Sequence, residues 1–578
     1  MTQKAVANSP RTEHFADIEY VMQRFNYQEH GLVEVLIAAQ ESYGYLSEEL
    51  MAHVAKKLHV PIIQVYSVAT FYDMFTLEAT GETECLICTG PACSLAGAKD
   101  VFEEARRIAE TVDSGTNGSN AHYLIRECSC LGLCDQAPAA LVNKIGQVDF
   151  NINGVPKMLK GLAENPRCLV CGEPRILTGT IGRLDPIDLD THRSEGAFKA
   201  LEKALTKMTP LEVIDEVKES RLTGRGGAGF PTGLKWEFAR KAAGPMKYVV
   251  CNFDESEPGT FKDRVLMEGN PFLVIEGLII SAFATGATSG YIYTRGEYPK
   301  AAKIVDEALD ELYAENLLGE HIMGTDFDFD VEIRHNAGAY ICGEETALFE
   351  SIEGKRGHPR IKPPYPTQVG LFGKPTSINN VETLAIVPSL ILHGGEWFQQ
   401  WGTTESVGLK LFCLSGHINK PGVVEAPLGL SVRTLVERFG GGFDGDPQAV
   451  LVGGAAGGFL RGDQLDIPLT HEDLRPLDVP IGSGSIMVFN QSVDLWQLLE
   501  NLAGFFVHET CGHCAPCRLG TKQIYKILHR INVGGGSAAD VLKIAKLGRT
   551  IRQTCVCGLG MTAANPALTA LHNLEHAI

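Results

Sequence analysis

At 578 residues the chain is too long for a single core, and its composition, 44% hydrophobic and 21% charged, is that of a globular protein of several domains. A net charge of −19 excludes the basic face that a nucleic-acid partner requires. No basic stretch leading into an apolar core opens the sequence, so a cytoplasmic chain without a signal peptide is expected, and its sixteen cysteines are expected to bind metal or lie buried rather than form disulfides.

Residues 1–80 read as a helical segment, polar and loose to about residue 16. In GLVEVLIAAQESYGYLSEELMAHVAKKLHV, Ser47 is placed to cap a helix with Glu48 and Glu49 in its first turn. Residues 81–172 change to short strands around helices. ECLICTG is strand-like, AKDVFEEARRIAE helical, residues 111–121 a loop, and AALVNKIGQVDFNING a hairpin. Here four residues separate Cys88 from Cys93, and three separate Cys130 from Cys134. Two thiol pairs on loops after strand-like segments suit an iron–sulfur cluster, with zinc or buried structural thiols as rivals. Cys168-x-x-Cys171 has no second pair and reads as structural or unassigned thiols, with half a zinc site or a redox pair as rivals. Residues 173–208 look like an irregular connector.

Residues 209–405 alternate helices with strands such as KYVVCNF and SGYIYTR, the rhythm of an α/β sheet. The apolar run FLVIEGLIISAFATGATSGYIY carries Glu276 and reads as a buried helix entering a strand, not a membrane span. The loop GRGGAGFPTGLKW matches G-x-G-x-x-G through Gly224, Gly226 and Gly229, but a dinucleotide fingerprint needs a strand to enter it. What enters is TPLEVIDEVKESRL, a helix with Thr209 as cap and Pro210 in its first turn. The glycines instead offer backbone N–H groups to an anion, with Arg225 and Lys235 as positive charge. Three further stretches gather acids and amides: NFDESEPGTFKDR (Asn252, Asp254, Glu255, Glu257) after a strand, AYICGEETAL (Tyr340, Gly343, Glu344, Glu345) and SINNVET (Asn379, Asn380). A carboxylate repels phosphate but accepts hydrogen bonds from sugar hydroxyls and ring N–H groups, so the set suits a flavin or nicotinamide nucleotide.

Residues 406–490 read strand, helix, strand, strand, a small α+β module. Residues 491–578 are helical apart from their cysteines. Cys511, Cys514 and Cys517 form C-x2-C-x2-C, which wraps three corners of a 4Fe–4S cluster. The fourth ligand is Cys555 or Cys557, with Cys557 favoured because Gly558 and Gly560 follow it. His513 reads as a hydrogen-bonding loop residue.

Together these motifs resemble the NADH-oxidising flavoprotein subunit of respiratory complex I, and the N-terminal part, with AQESYGYLSEEL and VYSVATFYDMF, resembles that enzyme's small 2Fe–2S subunit. Their fusion is most similar to the diaphorase subunit of NAD-reducing nickel–iron hydrogenases. The resemblance implies a helical segment and thioredoxin-like 2Fe–2S domain, an FMN/NADH α/β domain, a β-grasp module and a helical 4Fe–4S bundle. It implies one 2Fe–2S cluster on Cys88, Cys93, Cys130 and Cys134, one 4Fe–4S cluster on Cys511, Cys514, Cys517 and Cys557, FMN and NAD(H). FMN would meet Gly224, Arg225, Gly226, Lys235, Asn252, Asp254, Glu255, Tyr340, Gly343, Glu344, Asn379 and Asn380. NADH would meet Gly227, Phe230, Phe238, Glu257, Glu345 and Lys362, with Tyr365 where the family has phenylalanine. Cys128 leaves the third 2Fe–2S ligand ambiguous on sequence, with the C-x3-C spacing favouring Cys130. The implied reaction is hydride transfer between nicotinamide and flavin with no general base. The implied partners are a ferredoxin-like iron–sulfur subunit and the NiFe hydrogenase large and small subunits, with neither membrane nor nucleic acid. An NAD-dependent formate dehydrogenase or complex I is the alternative setting, and a flavin-free electron-transfer scaffold the reading from another class.

Overall fold

The computed structural model describes residues 15–78, 83–113 and 123–574. The loose segment expected before residue 16 and most of the loop expected at 111–121 lie outside them. In the N-terminal segment Ser47 caps the helix Glu48–Lys57 by accepting the Leu50 N–H at 3.2 Å, and Leu50, Met51, Val54 and Ala55 turn inward. The segment docks on the α/β domain by backbone bonds from Asp73 and Met74 to the carbonyls of Gly338 and Ala337. Tyr72 adds its hydroxyl, which donates to the Lys355 carbonyl at 2.8 Å.

The strand Thr83–Cys88 pairs in parallel with Tyr123–Cys128 and antiparallel with Ala140–Val142, which turns into Ile145–Gln147. Strand alternation sorts its side chains. Cys85 and Ile87 pack with Val101 and Ala105 of the helix Ala98–Asp113, while Leu86 and Cys88 pack on the other face with Cys93 and Leu131. The strand thus presents Cys88 to the cysteine loops.

Residues 168–208 depart from expectation. Val170–Gly172, placed with the second domain by sequence, pairs in parallel with Val423–Glu425 as the edge of a six-stranded sheet. Gly172 makes this possible: at φ +126° it approaches so closely that a Cβ would lie 2.0 Å from the Glu425 carbonyl oxygen. The buried Glu425 carboxylate then accepts the N–H groups of Ile176, Leu177 and Thr178 at 2.8–3.0 Å. The connector continues into the helices Leu189–Ser194 and Lys199–Lys207, and Glu276 accepts the Leu201 N–H at 3.0 Å. Carboxylates far away in sequence order this stretch, which is why it looks irregular locally. Cys168 and Cys171 face apart. Cys168 lies by Glu268 and the Val265 carbonyl, and Cys171 by the carbonyls of Val423 and Phe439.

The α/β domain has a four-stranded, wholly parallel sheet in the order Asp330–His335, Ser289–Thr294, Tyr248–Phe253, Thr376–Asn380. Its central helix Pro271–Thr285 is almost entirely buried and approaches Val381–His393 until a Cβ on Gly277 would meet the Leu384 carbonyl oxygen at 2.0 Å. Among the described residues no single helix is long and apolar enough to cross a membrane. The module after it forms the remainder of the six-stranded sheet, in the order Gly458–Arg461, Pro447–Val452, Ser485–Asn490, Leu409–Gly416, Gly422–Pro427. The C-terminal helices Leu495–Glu509, Ala515–Arg530, Ala538–Thr554 and Asn565–Asn573 close the molecule. The last is tied to that sheet by Asn573, which donates to the Phe459 carbonyl at 2.8 Å.

Arg264, 2% exposed, holds the thioredoxin-like domain to the α/β domain. Its Nε donates to the Gly132 carbonyl at 2.9 Å, and its other nitrogens lie 3.5 Å from Asp135 and 3.6 Å from Glu268. Arg264→Ala leaves the buried Asp135 without its cation, while Glu268 keeps Lys300 at 2.8 Å, and should cost about 3–5 kcal/mol. Thermal unfolding of the cofactor-loaded chain checks this, and an unchanged midpoint would refute the clamp.

Candidate functional site

The helix Pro210–Glu219 is capped by Thr209 as expected, Glu212 completes a capping box, and the helix leads into the glycine loop. The loop is closed at its base by pairing between Thr223 and Pro231 and by the Gly224 N–H, which donates to the Phe230 carbonyl at 2.9 Å. Gly227 at φ +128° and Gly229 at φ +68° take conformations that favour glycine. A Cβ on Gly226 would come within 3.1 Å of the Asn380 side chain, so loop and strand end form one cradle.

Arg225 departs from its expected role. Its buried guanidinium donates to the carbonyls of Leu409 (3.1 Å), Val407 (2.9 Å) and Thr223 (3.1 Å) and to the Thr223 hydroxyl (2.7 Å). Burial pushes it down to about 10. It pins the loop to the six-stranded sheet rather than offering charge to an anion. Lys235 is likewise engaged, donating to the Ile378 carbonyl at 2.7 Å, and burial lowers its ammonium against the pull of Glu345.

At the carboxyl end of Tyr248–Phe253, Asn252 donates to the Gly343 carbonyl at 2.9 Å and accepts the Asp254 N–H at 3.1 Å. Burial pushes the Asp254 and Glu257 carboxyls up to about 7. Glu257 accepts from the Tyr340 hydroxyl and from the Ala456 N–H at 2.6 Å. Glu255 is a second correction to the expected flavin contacts. Its oxygens accept the N–H groups of Asp263 (2.8 Å) and Arg264 (2.9 Å), fixing the first turn of Lys262–Gly269. Among the buried polar atoms without a protein partner are Asn379 Nδ2 and Asp254 Oδ2. One donor and one acceptor beside a backbone cradle suit FMN, with its acceptor-rich phosphate and its hydroxyl and ring N–H donors.

Glu344 caps the helix Glu345–Ile352 by accepting the N–H groups of Thr346 and Ala347, and its other oxygen accepts from Lys362 at 2.9 Å. Lys362 also pairs with Glu345. Burial lowers the Lys362 ammonium, but the two carboxylates outweigh it and hold it above its ordinary range. Phe230, Phe238 and Tyr365 each keep about half their surface exposed, at 47%, 50% and 56%, leaving ring faces open for stacking.

The N-terminal thiols converge as the spacing suggests. Cys130 and Cys134 sulfurs lie 3.9 Å apart, and the Gly132 N–H points at Cys130 Sγ at 3.3 Å. Hydrogen bonds from Cys128, Cys130 and Cys93 push the Cys88 thiol down. All four expected ligands are 1–6% exposed, a closed thiol pocket that fits a four-thiolate cluster. Cys128 sits directly opposite Cys88 in the parallel pair, so its nearness follows from register.

Cys511 and Cys514 lie on the loop that enters Ala515–Arg530, Cys517 lies in the first turn of that helix, and Thr510 Oγ1 approaches Cys517 Sγ at 3.1 Å. Both candidate fourth thiols are close. Cys555 contacts Cys517 and Cys514, and Cys557 neighbours Cys511. Cys557 stands at the start of Gly558–Thr562, and burial pushes its thiol up to about 12 against the opposing Gly560 and Leu559 N–H groups. The described thiols and backbone donors fit a cubane.

Sequence reasoning missed a charge network beneath the cradle. Lys262 Nζ lies 2.6 Å from Asp263 and 2.9 Å from Glu382, and Lys410 Nζ lies 3.5 Å from Glu382 and donates to the Arg225 carbonyl at 3.2 Å. Burial works to raise the Glu382 carboxyl, but Lys410, Lys262 and Arg225 hold it below its ordinary range. Burial also pushes Lys410 down to about 8. The signal was a lone lysine in the apolar strand LKLFCLSG. Arg295, which donates to the Cys130 and Glu255 carbonyls at 2.6 Å each, closed the quoted strand SGYIYTR without being singled out.

Comparison with known proteins agrees with this geometry. Family models match residues 18–163 (thioredoxin-like 2Fe–2S ferredoxin), 217–389 (Nuo51 FMN-binding domain) and 497–578 (NADH-ubiquinone oxidoreductase-F iron–sulfur binding region). The chain is 45% identical over 399 residues to the NADP-reducing hydrogenase subunit HndC of Solidesulfovibrio fructosivorans, covering 69% of this chain and 81% of that protein. It is 34% identical over 566 residues to the NAD-reducing hydrogenase HoxS subunit alpha of Cupriavidus necator, covering 96% and 92%. A crystal structure of an NAD+-reducing NiFe hydrogenase in the air-oxidized state superposes with a TM-score of 0.82 at 30% identity, covering 95% and 93%. With a flavin-binding domain and two iron–sulfur regions in one chain, the protein belongs to the family of NAD(H)-dependent oxidoreductase subunits that includes HoxS alpha, HndC and the F subunits of NADH-quinone oxidoreductases.

Proposed function

We propose that the chain is a diaphorase module, exchanging hydride between NAD(H) and FMN and single electrons with a 2Fe–2S and a 4Fe–4S cluster. It serves a NiFe hydrogenase, through a ferredoxin-like iron–sulfur subunit, in coupling hydrogen oxidation to NAD+ reduction. One observation carries the reading. The segment Tyr340–Glu345 faces both the nucleotide cradle and the cubane loop: the Gly343 carbonyl accepts from Asn252 at 2.9 Å, and the Tyr340 N–H donates to Glu509, two residues before Cys511, at 3.1 Å.

FMN, when bound, converts two-electron hydride exchange into one-electron transfer. The chain's own work is placement. The Gly224–Gly227 backbone, Asn379 and Asn380 would hold the phosphate end, and Asn252, Asp254 and Glu344 the polyol and ring. Gly227, Phe230, Phe238, Glu257, Glu345, Lys362 and Tyr365 would receive NADH. Lys362 neutralises Glu344 and Glu345, lowering their repulsion toward the dinucleotide's phosphates. Asp254 and Glu257, raised to about 7, carry protons over part of the neutral range and lower it further. The half-buried Cys511, Cys514 and Cys557, near exposed Val556 and Met561, support electron exit from the C-terminal domain.

Lys362→Ala should raise the KM for NADH by the value of a charged hydrogen bond, about 1.5–3 kcal/mol or roughly one to two powers of ten, while FMN content stays at parent level. Equal loss of flavin, with unchanged NADH affinity in the loaded fraction, would sink this assignment. Cys514→Ala should abolish the cubane signal in electron paramagnetic resonance and leave the 2Fe–2S signal; loss of both, or of neither, contradicts it. The full chain reconstituted with flavin and iron should reduce ferricyanide from NADH but show no hydrogen-dependent NAD+ reduction until hydrogenase subunits are added. Hydrogen uptake by the chain alone, or no dye reduction at full loading, would refute the proposal.

A further inference from the structure

A cavity of about 220 Å3 lies where the N-terminal segment, the Cys128–Cys130 loop and the end of the helix Leu495–Glu509 meet. It borders the nucleotide cradle through Ser256 and Tyr340. On its wall, His508 Nδ1 lies 3.4 Å from Asp73 Oδ2 and 3.5 Å from Glu509 Oε1, and one ligand atom from each residue falls within 4.8 Å of the others.

Of the three, one side chain is fixed independently of any ion and a second is tethered through its backbone. Glu509, its side chain 8% exposed, accepts the Tyr340 N–H through its other oxygen. Asp73 is held by its backbone N–H, which donates to the Gly338 carbonyl at 3.0 Å. His508 and Asp73 are about half exposed, at 54% and 52%, so solvent ions reach the site. The cavity's other acids are Glu127 and Glu297, and its arginines are already engaged, Arg295 with Glu297 and Arg126 with Glu84. Two carboxylates therefore point at one ring nitrogen, whose single proton satisfies one of them at a time. A divalent ion would satisfy all three. Tetrahedral bonds of about 2.0–2.1 Å give ligand–ligand edges of about 3.3–3.4 Å, close to the two spacings seen here.

We propose that Asp73, His508 and Glu509 form a site for a first-row divalent transition ion of the zinc type, with water completing its coordination. The ion would tie the N-terminal segment to the helix that delivers the cubane cysteines. Its ligands are nitrogen and oxygen, with no thiolate among the three, so it is distinct from both cluster sites.

The test is a room-temperature Mn2+ titration of the flavin- and iron-loaded chain, following loss of the free-ion resonance, with Zn2+ as competitor. The parent should bind one Mn2+ more per chain than His508→Gln or Asp73→Asn, Zn2+ should displace it, and both variants should weaken binding at least tenfold at parent flavin and iron content. Should one variant lose its cofactors, the other decides. Equal Mn2+ binding by parent and variant, or no binding that Zn2+ displaces, would overturn the site and leave His508 as a protonated partner of the two carboxylates.

Discussion

Arg295 leaves the carboxyl end of the strand Ser289–Thr294 and donates to the Cys130 and Glu255 carbonyls at 2.6 Å each, its charge balanced by Glu297 at 2.8 Å. At 2% exposure, such a cation is tolerable only if its donors are paired, because the desolvation cost is several kcal/mol. Any shift of the Cys130 loop strands it. Arg264 imposes the same condition one step along, at Gly132 and Asp135. Tyr298 closes the gap so tightly that a Cβ on Gly132 would meet its hydroxyl at 1.9 Å. The 2Fe–2S loop is thus fixed by the α/β domain as firmly as by its own sheet.

The same reasoning governs the nucleotide cradle. A glycine loop is permissive, and something stiff must hold it. Arg225 fastens it to the carbonyls of Val407 and Leu409, and Lys410 supports the Arg225 carbonyl from below. Glu382 at the centre of the network has no exposed surface, so its two lysines are obligatory partners. The positive side chains of the site serve the protein first. What remains for an anion is backbone, the orphan amide of Asn379 and the balance of a pocket whose acids are raised toward neutrality by burial.

Local patterns carried much of this into the sequence. The cap at Thr209, the Ser47 cap, the buried helix carrying Glu276 and the hairpin after Ala140 all depend on neighbours within a few residues, and each is found. The convergence of Cys88, Cys93, Cys130 and Cys134 was legible from their spacing, although Cys88 ends the strand Thr83–Cys88 and Cys93 lies in the helix Pro91–Leu95 instead of on loops. Illegible were features set by distant partners. Nothing in residues 173–208 announces that Glu425 and Glu276 will order them. Nothing in GRGG tells an arginine aimed at an anion from one that fastens its own loop. Glu255, quoted among acids at a strand end, holds a helix turn eight residues on, a role that only the fold defines.

The two thiol sets differ in a way that bears on their roles. The N-terminal four lie 1–6% exposed behind arginines of the α/β domain, while Cys511, Cys514 and Cys557 are only half-buried. Cluster potentials respond to solvent exposure and to hydrogen bonds at sulfur. The first set receives the Gly132 N–H inside a closed pocket, and the second receives Thr510, Gly560 and Leu559 at an open edge. A closed set walled in by its own chain is suited to holding an electron within the module. An open set beside Tyr340–Glu345 is suited to passing electrons between the nucleotide cradle and whatever covers that edge. The asymmetry follows from which thiols the buried guanidinium groups reach, so the clamp that fixes the fold also separates the two electron sites by environment.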